Sequence, residues 1–167
     1  MAIEKLKEAM NQTLYSNEKE NYKMAIDEIE NKVDIFDDMY IMHEKYGVHE
    51  WMKTATAEQK KTFIDFRMDF IEEEFNETLA AIHNLKGADP EEIVDGLIDI
   101  IVVAAGTLDA FGVDAKKAWK EVYKANMAKE VGVKPERPNP LGLPDLIKPE
   151  GWVGPDHSDN HGQFVEL

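Results

Sequence analysis

The sequence predicts an all-α protein, a bundle of four main helices followed by an extended, proline-rich C-terminal arm. Apolar residues recur at helical spacing up to about Glu130, and no stretch alternates convincingly with the period of two expected of a strand. Six of the seven prolines stand at 135, 138, 140, 144, 149 and 155, where they oppose a continuing helix. The expected organisation is one helical domain over residues 1–130 and an irregular arm over 131–167, packing on the domain or on a partner subunit.

Each element has its own signal. Residues up to about Ser16 suit a short helix, with a weak pattern. A helical period then runs to Gly47, strongest from Val33 onward. The second main helix opens at Thr56, which has capping-box spacing with Gln59. It runs to about Asn84, with Gly87 available as a stop. The third opens at "DPEE", where Asp89 can cap, Pro90 fits the first turn, and Glu91 and Glu92 suit the helix dipole. It ends near Phe111-Gly112. The fourth is capped by Asp114 and runs to about Glu130. The tail beyond cannot continue as helix, yet its Trp152 and several glycines exceed what a linker needs.

Bulk properties narrow the partners. Asp and Glu number 34 against 19 Lys and Arg, a formal charge of −15. Such a surface repels phosphodiester backbones and anionic lipid, so no nucleic acid and no membrane is expected, while metal cations remain suitable partners. Cysteine is absent, which excludes disulfides, thiolate nucleophiles and sulfur-ligated zinc and fits a reducing cytoplasm. The start "MAIEKLKEAMNQ" lacks the apolar core of a signal peptide. The most apolar run, Ile93 to Leu108, carries two aspartates and is too short to cross a bilayer. A cytoplasmic protein is expected.

Side-chain direction then singles out the acidic residues. At ~100° per residue, the stripe Phe63, Phe66, Phe70 leads on to Glu74, Glu77 and Ala81. Glu72 falls on the polar side and Glu73 at the edge of the stripe. Arg67 is the one basic side chain on the inner side of that helix. The third helix is apolar almost all round, yet Asp95 and Asp99 share one of its faces, with Glu92 just before them. A buried, unpaired carboxylate costs several kcal/mol. Two helices that both present inward carboxylates therefore call for a counterion. An oxygen-only donor set without His or Cys favours Mg²⁺, or Mn²⁺. An ordinary solvated acidic face is the plain alternative, and with it a non-enzymatic acidic interaction module.

The arrangement resembles the MazG-like all-α nucleoside triphosphate pyrophosphohydrolases, a superfamily that includes phosphoribosyl-ATP pyrophosphohydrolase. Their signature is EExxE on one helix and ExxD on the next. Residues 73–77, Glu-Glu-Phe-Asn-Glu, match the first part. In the second, Asp99 matches the Asp, but Gly96 stands where the Glu belongs. Asp95, one residue earlier, can substitute as in the DxxxD form of phage-type members. A literal ExxD also exists at Glu92–Asp95, so the fourth ligand stays open between Glu92 and Asp95. "FDDMYIMHEKYGV", "EVYKANMAK" and "KPEGW" resemble neighbouring segments of the phage-type proteins, from roughly Val33 to Trp152.

The resemblance implies a MazG-like bundle and Mg²⁺-dependent hydrolysis of a nucleoside triphosphate substrate, a dNTP first among them, to the monophosphate and pyrophosphate. Phosphoribosyl-ATP hydrolysis is the alternative within enzymes. It implies Glu74, Glu77, Asp95 and Asp99 as metal ligands, Glu73 as the base acting on water, and Asn126 and Lys129 as substrate contacts. Asn126 lies on the stripe Trp119, Val122, Tyr123, whose amide is expected to face inward. Arg67 either braces Glu74 or reaches a phosphate. His43, on the stripe Val33, Phe36, Tyr40, is either a satisfied core histidine or a nucleotide contact. Helices with more than one apolar stripe also lead us to expect a homodimer or homotetramer.

Overall fold

A computed structural model describes residues 2–13, 16–30, 34–134, 141 and 145–167. It is an all-α protein with two very short strands, and its contacts divide it into two units, Met1–Ile35 and Phe36–Leu167. In the first unit α1 (Ala2–Gln12) and α2 (Ser16–Glu30) pack on each other, with Ile26 buried.

The second unit holds α3 (Ile35–Tyr46), α4 (Val48–Thr54), α5 (Ala57–Ile82), α6 (Pro90–Ala110) and α7 (Ala115–Met127). The three expected caps form. Thr56 and Gln59 make the reciprocal capping box, Asp89 accepts from the Glu92 N–H, and Asp114 accepts from the Lys117 N–H at 2.9 Å. The helix count differs from the expected four. The period that runs to Gly47 is split into α2 and α3, with residues 31–33, including Val33, outside the described part. Gly47 adopts φ 74°, so it ends α3 in a left-handed turn and α4 begins at the next residue. Read along the chain, 47–56 is a plain connection. The turn at Gly47 makes it a short helix.

α5 and α6 form the most extensive helix pair. They approach closely at Gly96, where a Cβ would stand 2.3 Å from Thr78 Oγ1. Below this contact lies the core, in which Met52, Ala110 and Phe111 are fully enclosed by Val48, Phe63, Ile64 and Phe164. Phe111 is 0 % exposed, and Phe164 stacks on it with ring centroids 4.1 Å apart.

The described residues of the arm are more ordered than an irregular tail. β1 (Glu130–Gly132) and β2 (Asp145–Ile147) pair antiparallel, Val131 opposite Leu146. After the last proline, Gly162–Glu166 closes a 3₁₀ turn, α-helix-like structure that the expectation of a non-helical tail did not include. Between Trp152 and Glu166 the tail is fastened at several points. Trp152 Nε1 donates to the Ala125 carbonyl at 2.8 Å. Asn160 accepts from the Asp114 N–H at 2.9 Å and donates to the Asp114 carbonyl at 2.8 Å. The Gln163 N–H donates to the Phe111 carbonyl at 2.7 Å, and Glu166 pairs with the buried Lys60. Among the described residues no single helix is long and apolar enough to cross a membrane.

Candidate active site

The acidic residues of α5 and α6 converge on Glu74. Burial pushes its carboxyl above the ordinary range, and the charges of Asp99, Glu77, Glu73 and Asp95 push it the same way. Glu74 and Asp99 are half-buried, whereas Glu73, Glu77 and Asp95 are exposed. The expected full burial of Glu77 is thus not met. The phenylalanine stripe it continues is itself open, with Phe66 52 % exposed, because α6 is the one extensive neighbour of α5. Among the described residues no Lys, Arg or His forms an ion pair with any of these five carboxylates. A cluster of like charges without a basic partner suits a hard divalent cation.

Gly96 accounts for the departure from ExxD. Its α-carbon faces α5, where even a methyl group meets Thr78 Oγ1. That hydroxyl is fixed by donating to the Glu74 carbonyl at 2.7 Å. A glutamate does not fit at 96, and Asp95, one position round the helix, is free of that contact.

Arg67 is half-buried and, among the described residues, braces no carboxylate. Its Nε donates to Thr107 Oγ1 at 3.1 Å and its Nη2 to the Val103 carbonyl at 2.9 Å, and burial lowers its proton affinity. His43 is buried and its Nδ1 lies 2.6 Å from Asp109 Oδ2. The same oxygen is 2.7 Å from His49 Nε2, and His49 Nδ1 is 2.7 Å from Glu44 Oε1. His43 is therefore satisfied by a partner on α6. Among the described residues, His43, His49 and Asp109 form a group whose donor atoms, within 4.8 Å of one another, can share one ion. His49 and Asp109 escaped the sequence reading. Six positions apart on a continuous helix, His43 and His49 would point ~120° apart, and the Gly47 turn is what brings them together.

Asn126 and Lys129 stand at the end of α7. Asn126 is exposed rather than inward, as are Trp119 and Tyr123 of the same stripe, at 60 % and 56 %. The stripe finds no wall because α7 has few contacts with α6. Lys129 Nζ donates to Asn126 Oδ1 at 2.8 Å. Lys129 and Lys148 place their ammonium groups 5.7 and 4.5 Å from the centre of the Trp152 ring. A groove of about 770 Å³ runs between α7 and the arm beside Trp152, Lys117 and Lys124. Among the described residues no hydrogen bond or ion pair joins Asn126 or Lys129 to the acidic cluster.

Among curated proteins none matches the chain. The phosphoribosyl-ATP pyrophosphohydrolase family matches residues 41–126, which include the acidic cluster and Asn126 but not Lys129 or the arm. This span is a little over half of the 167 residues. A chain with two facing acidic helices and this match is not a non-enzymatic interaction module. It belongs to the phosphoribosyl-ATP pyrophosphohydrolase family of the MazG-like all-α superfamily, and it is a pyrophosphohydrolase, a hydrolase of acid anhydrides acting on a nucleotide-like substrate.

Proposed function

We propose that the chain hydrolyses a nucleoside triphosphate, and a deoxynucleoside triphosphate in preference, to the monophosphate and pyrophosphate. The observation that carries this reading is the convergence of four carboxylates on a half-buried Glu74 with no basic side chain among them. Glu74, Glu77, Asp95 and Asp99 would hold Mg²⁺, with Mn²⁺ the alternative. Asp95, whose charge is among the largest that raise Glu74, is favoured over Glu92. The ion, when bound, offsets phosphate charge and makes a water a stronger nucleophile.

The chain's own groups supply the rest. Glu73, exposed at the edge of the cluster, accepts the proton of the attacking water. Arg67 engages two of its five N–H donors within the fold and keeps the others for a phosphate oxygen. Lys129, held by Asn126, offers a second cation, and Trp152 beside it a face for a base. His43 has its partner in Asp109 through Nδ1. A second copy of the chain covers the apolar side chains left open on α5 and α6, among them Phe75, Leu97 and Ile98, each more than half exposed.

The family match favours a second reading, with phosphoribosyl-ATP as substrate. Pyrophosphate release from NTPs, dNTPs and phosphoribosyl-ATP with Mg²⁺, for wild type and Glu74→Gln, tests both. Release from a nucleoside triphosphate, lost in the variant, supports the first reading. Release from phosphoribosyl-ATP alone supports the second, and release that survives Glu74→Gln refutes the acidic site.

A further inference from the structure

The most tightly knit polar group outside the acidic cluster joins three helices. His43 comes from α3, His49 from α4 and Asp109 from α6, and their side chains are only 11 %, 15 % and 15 % exposed. Asp109 Oδ2 faces an imidazole nitrogen of each histidine, at 2.6 and 2.7 Å. His49 in turn has both ring nitrogens against carboxylate oxygens, Nε2 against Asp109 and Nδ1 against Glu44, each at 2.7 Å. A neutral imidazole donates through one nitrogen only, and a carboxylate only accepts. One of these two contacts therefore needs a further positive charge, either a proton on the ring or a cation between the groups.

We propose that His43 Nδ1, His49 Nε2 and Asp109 Oδ2 bind a zinc-class divalent cation, at a site separate from the acidic cluster. The donor atoms already lie within 4.8 Å of one another, so small side-chain shifts bring them to one ion. Two imidazoles and a carboxylate form the borderline donor set that takes Zn²⁺, Co²⁺ or Ni²⁺ in preference to Mg²⁺. Glu44 stands where an outer carboxylate belongs in such sites. Bonded to Nδ1, it leaves Nε2 as the lone-pair nitrogen aimed at the ion. Charge balance agrees, since two carboxylates and two neutral imidazoles are neutralised by one dication and only partly by one proton. Arg67 lies by Gly106 at the Nε2 end of the His43 ring, away from the liganding Nδ1, while Lys116 lines the same pocket as Asp109 and is paired with Asp37. The ion clamps α4, which has few other polar ties, to α3 and α6.

The test uses the full chain, stripped with a chelator and kept in excess Mg²⁺ so that hard-cation sites are filled. Zn²⁺ and Co²⁺ are titrated, with calorimetry, melting temperature and the Co²⁺ visible spectrum as readouts. The expected result is one equivalent bound, a higher melting temperature, and Co²⁺ bands of a low-coordinate nitrogen–oxygen site. His49→Gln lowers the affinity at least tenfold. Glu44→Gln, a change at a side chain 56 % exposed, keeps the stoichiometry and weakens binding about 10–100-fold. If His49→Gln fails to fold, the Glu44→Gln affinity decides alone. Absence of Zn²⁺ and Co²⁺ binding overturns the proposal. So does binding that neither variant weakens, which places the ion on His83, His157, His161 or the acidic cluster.

Discussion

Gly96→Ala tests how tightly α5 and α6 meet beneath the acidic cluster. The added Cβ would lie 2.3 Å from Thr78 Oγ1, too close for any real contact, and 3.4 Å from the Glu74 carbonyl oxygen, which is tolerable. Thr78 is buried, and swinging its hydroxyl away breaks the 2.7 Å bond to that carbonyl. Overpacking of this kind costs about 1–3 kcal/mol. Replacing a mid-helix glycine by alanine returns about 1 kcal/mol of helix propensity. The net expectation is a loss of about 1 kcal/mol, or roughly 2–4 °C in melting temperature for a chain of this size. Thr78→Ala removes the obstructing oxygen, leaving Thr78 Cβ at 3.5 Å, an ordinary contact. In the double variant the loss should therefore reverse, with a coupling of about 1–3 kcal/mol between the two sites. The assay is urea unfolding of the four proteins in the cycle. A Gly96→Ala variant that gains stability with Thr78 present, or a cycle with no coupling, would sink the close-contact account of why this chain lacks the ExxD glutamate.

Other outcomes follow from the same geometry. Glu74→Gln is expected to abolish pyrophosphate release while the melting temperature holds or rises, because a half-buried charge facing four like charges is removed; a large fall in melting temperature would contradict this. Phe164→Ala should cost about 2–4 kcal/mol, somewhat below the value for a fully buried phenylalanine, since Phe164 closes one face of Phe111; denaturant unfolding measures it. Glu166→Gln leaves the buried Lys60 ammonium without its partner and should destabilise more than Lys60→Met, which removes the charge instead. Asp159 is held below the ordinary carboxylate range by its bond to Lys117. A lowered carboxyl stabilises above its unfolded value of 3.8 and loses that contribution as the pH falls through the folded one. The small stability gap between wild type and Asp159→Asn at pH 6 should thus shrink as the pH falls below 3.8, and a gap that stays constant there argues against the ion pair.

The sequence by itself determined the all-α class, the three capped helix starts and the pairing of EExxE with an aspartate pair on the next helix. Caps and periodicity are local, and a few consecutive residues carry them in full. What only the tertiary structure decided depends on contacts between distant positions. The His43–Asp109–His49 group needs a left-handed turn at Gly47 and a partner 60 or more positions away. Gly96 reads as a missing ligand until Thr78 is seen against it. The arm reads as irregular because its prolines forbid helix, while its anchors, Trp152 on Ala125 and Phe164 on Phe111, are single side chains without a repeating pattern. The sequence placed Glu77 and Asn126 inward because a helical stripe gives direction but not neighbours. Burial depends on what packs opposite, and in one chain little packs there.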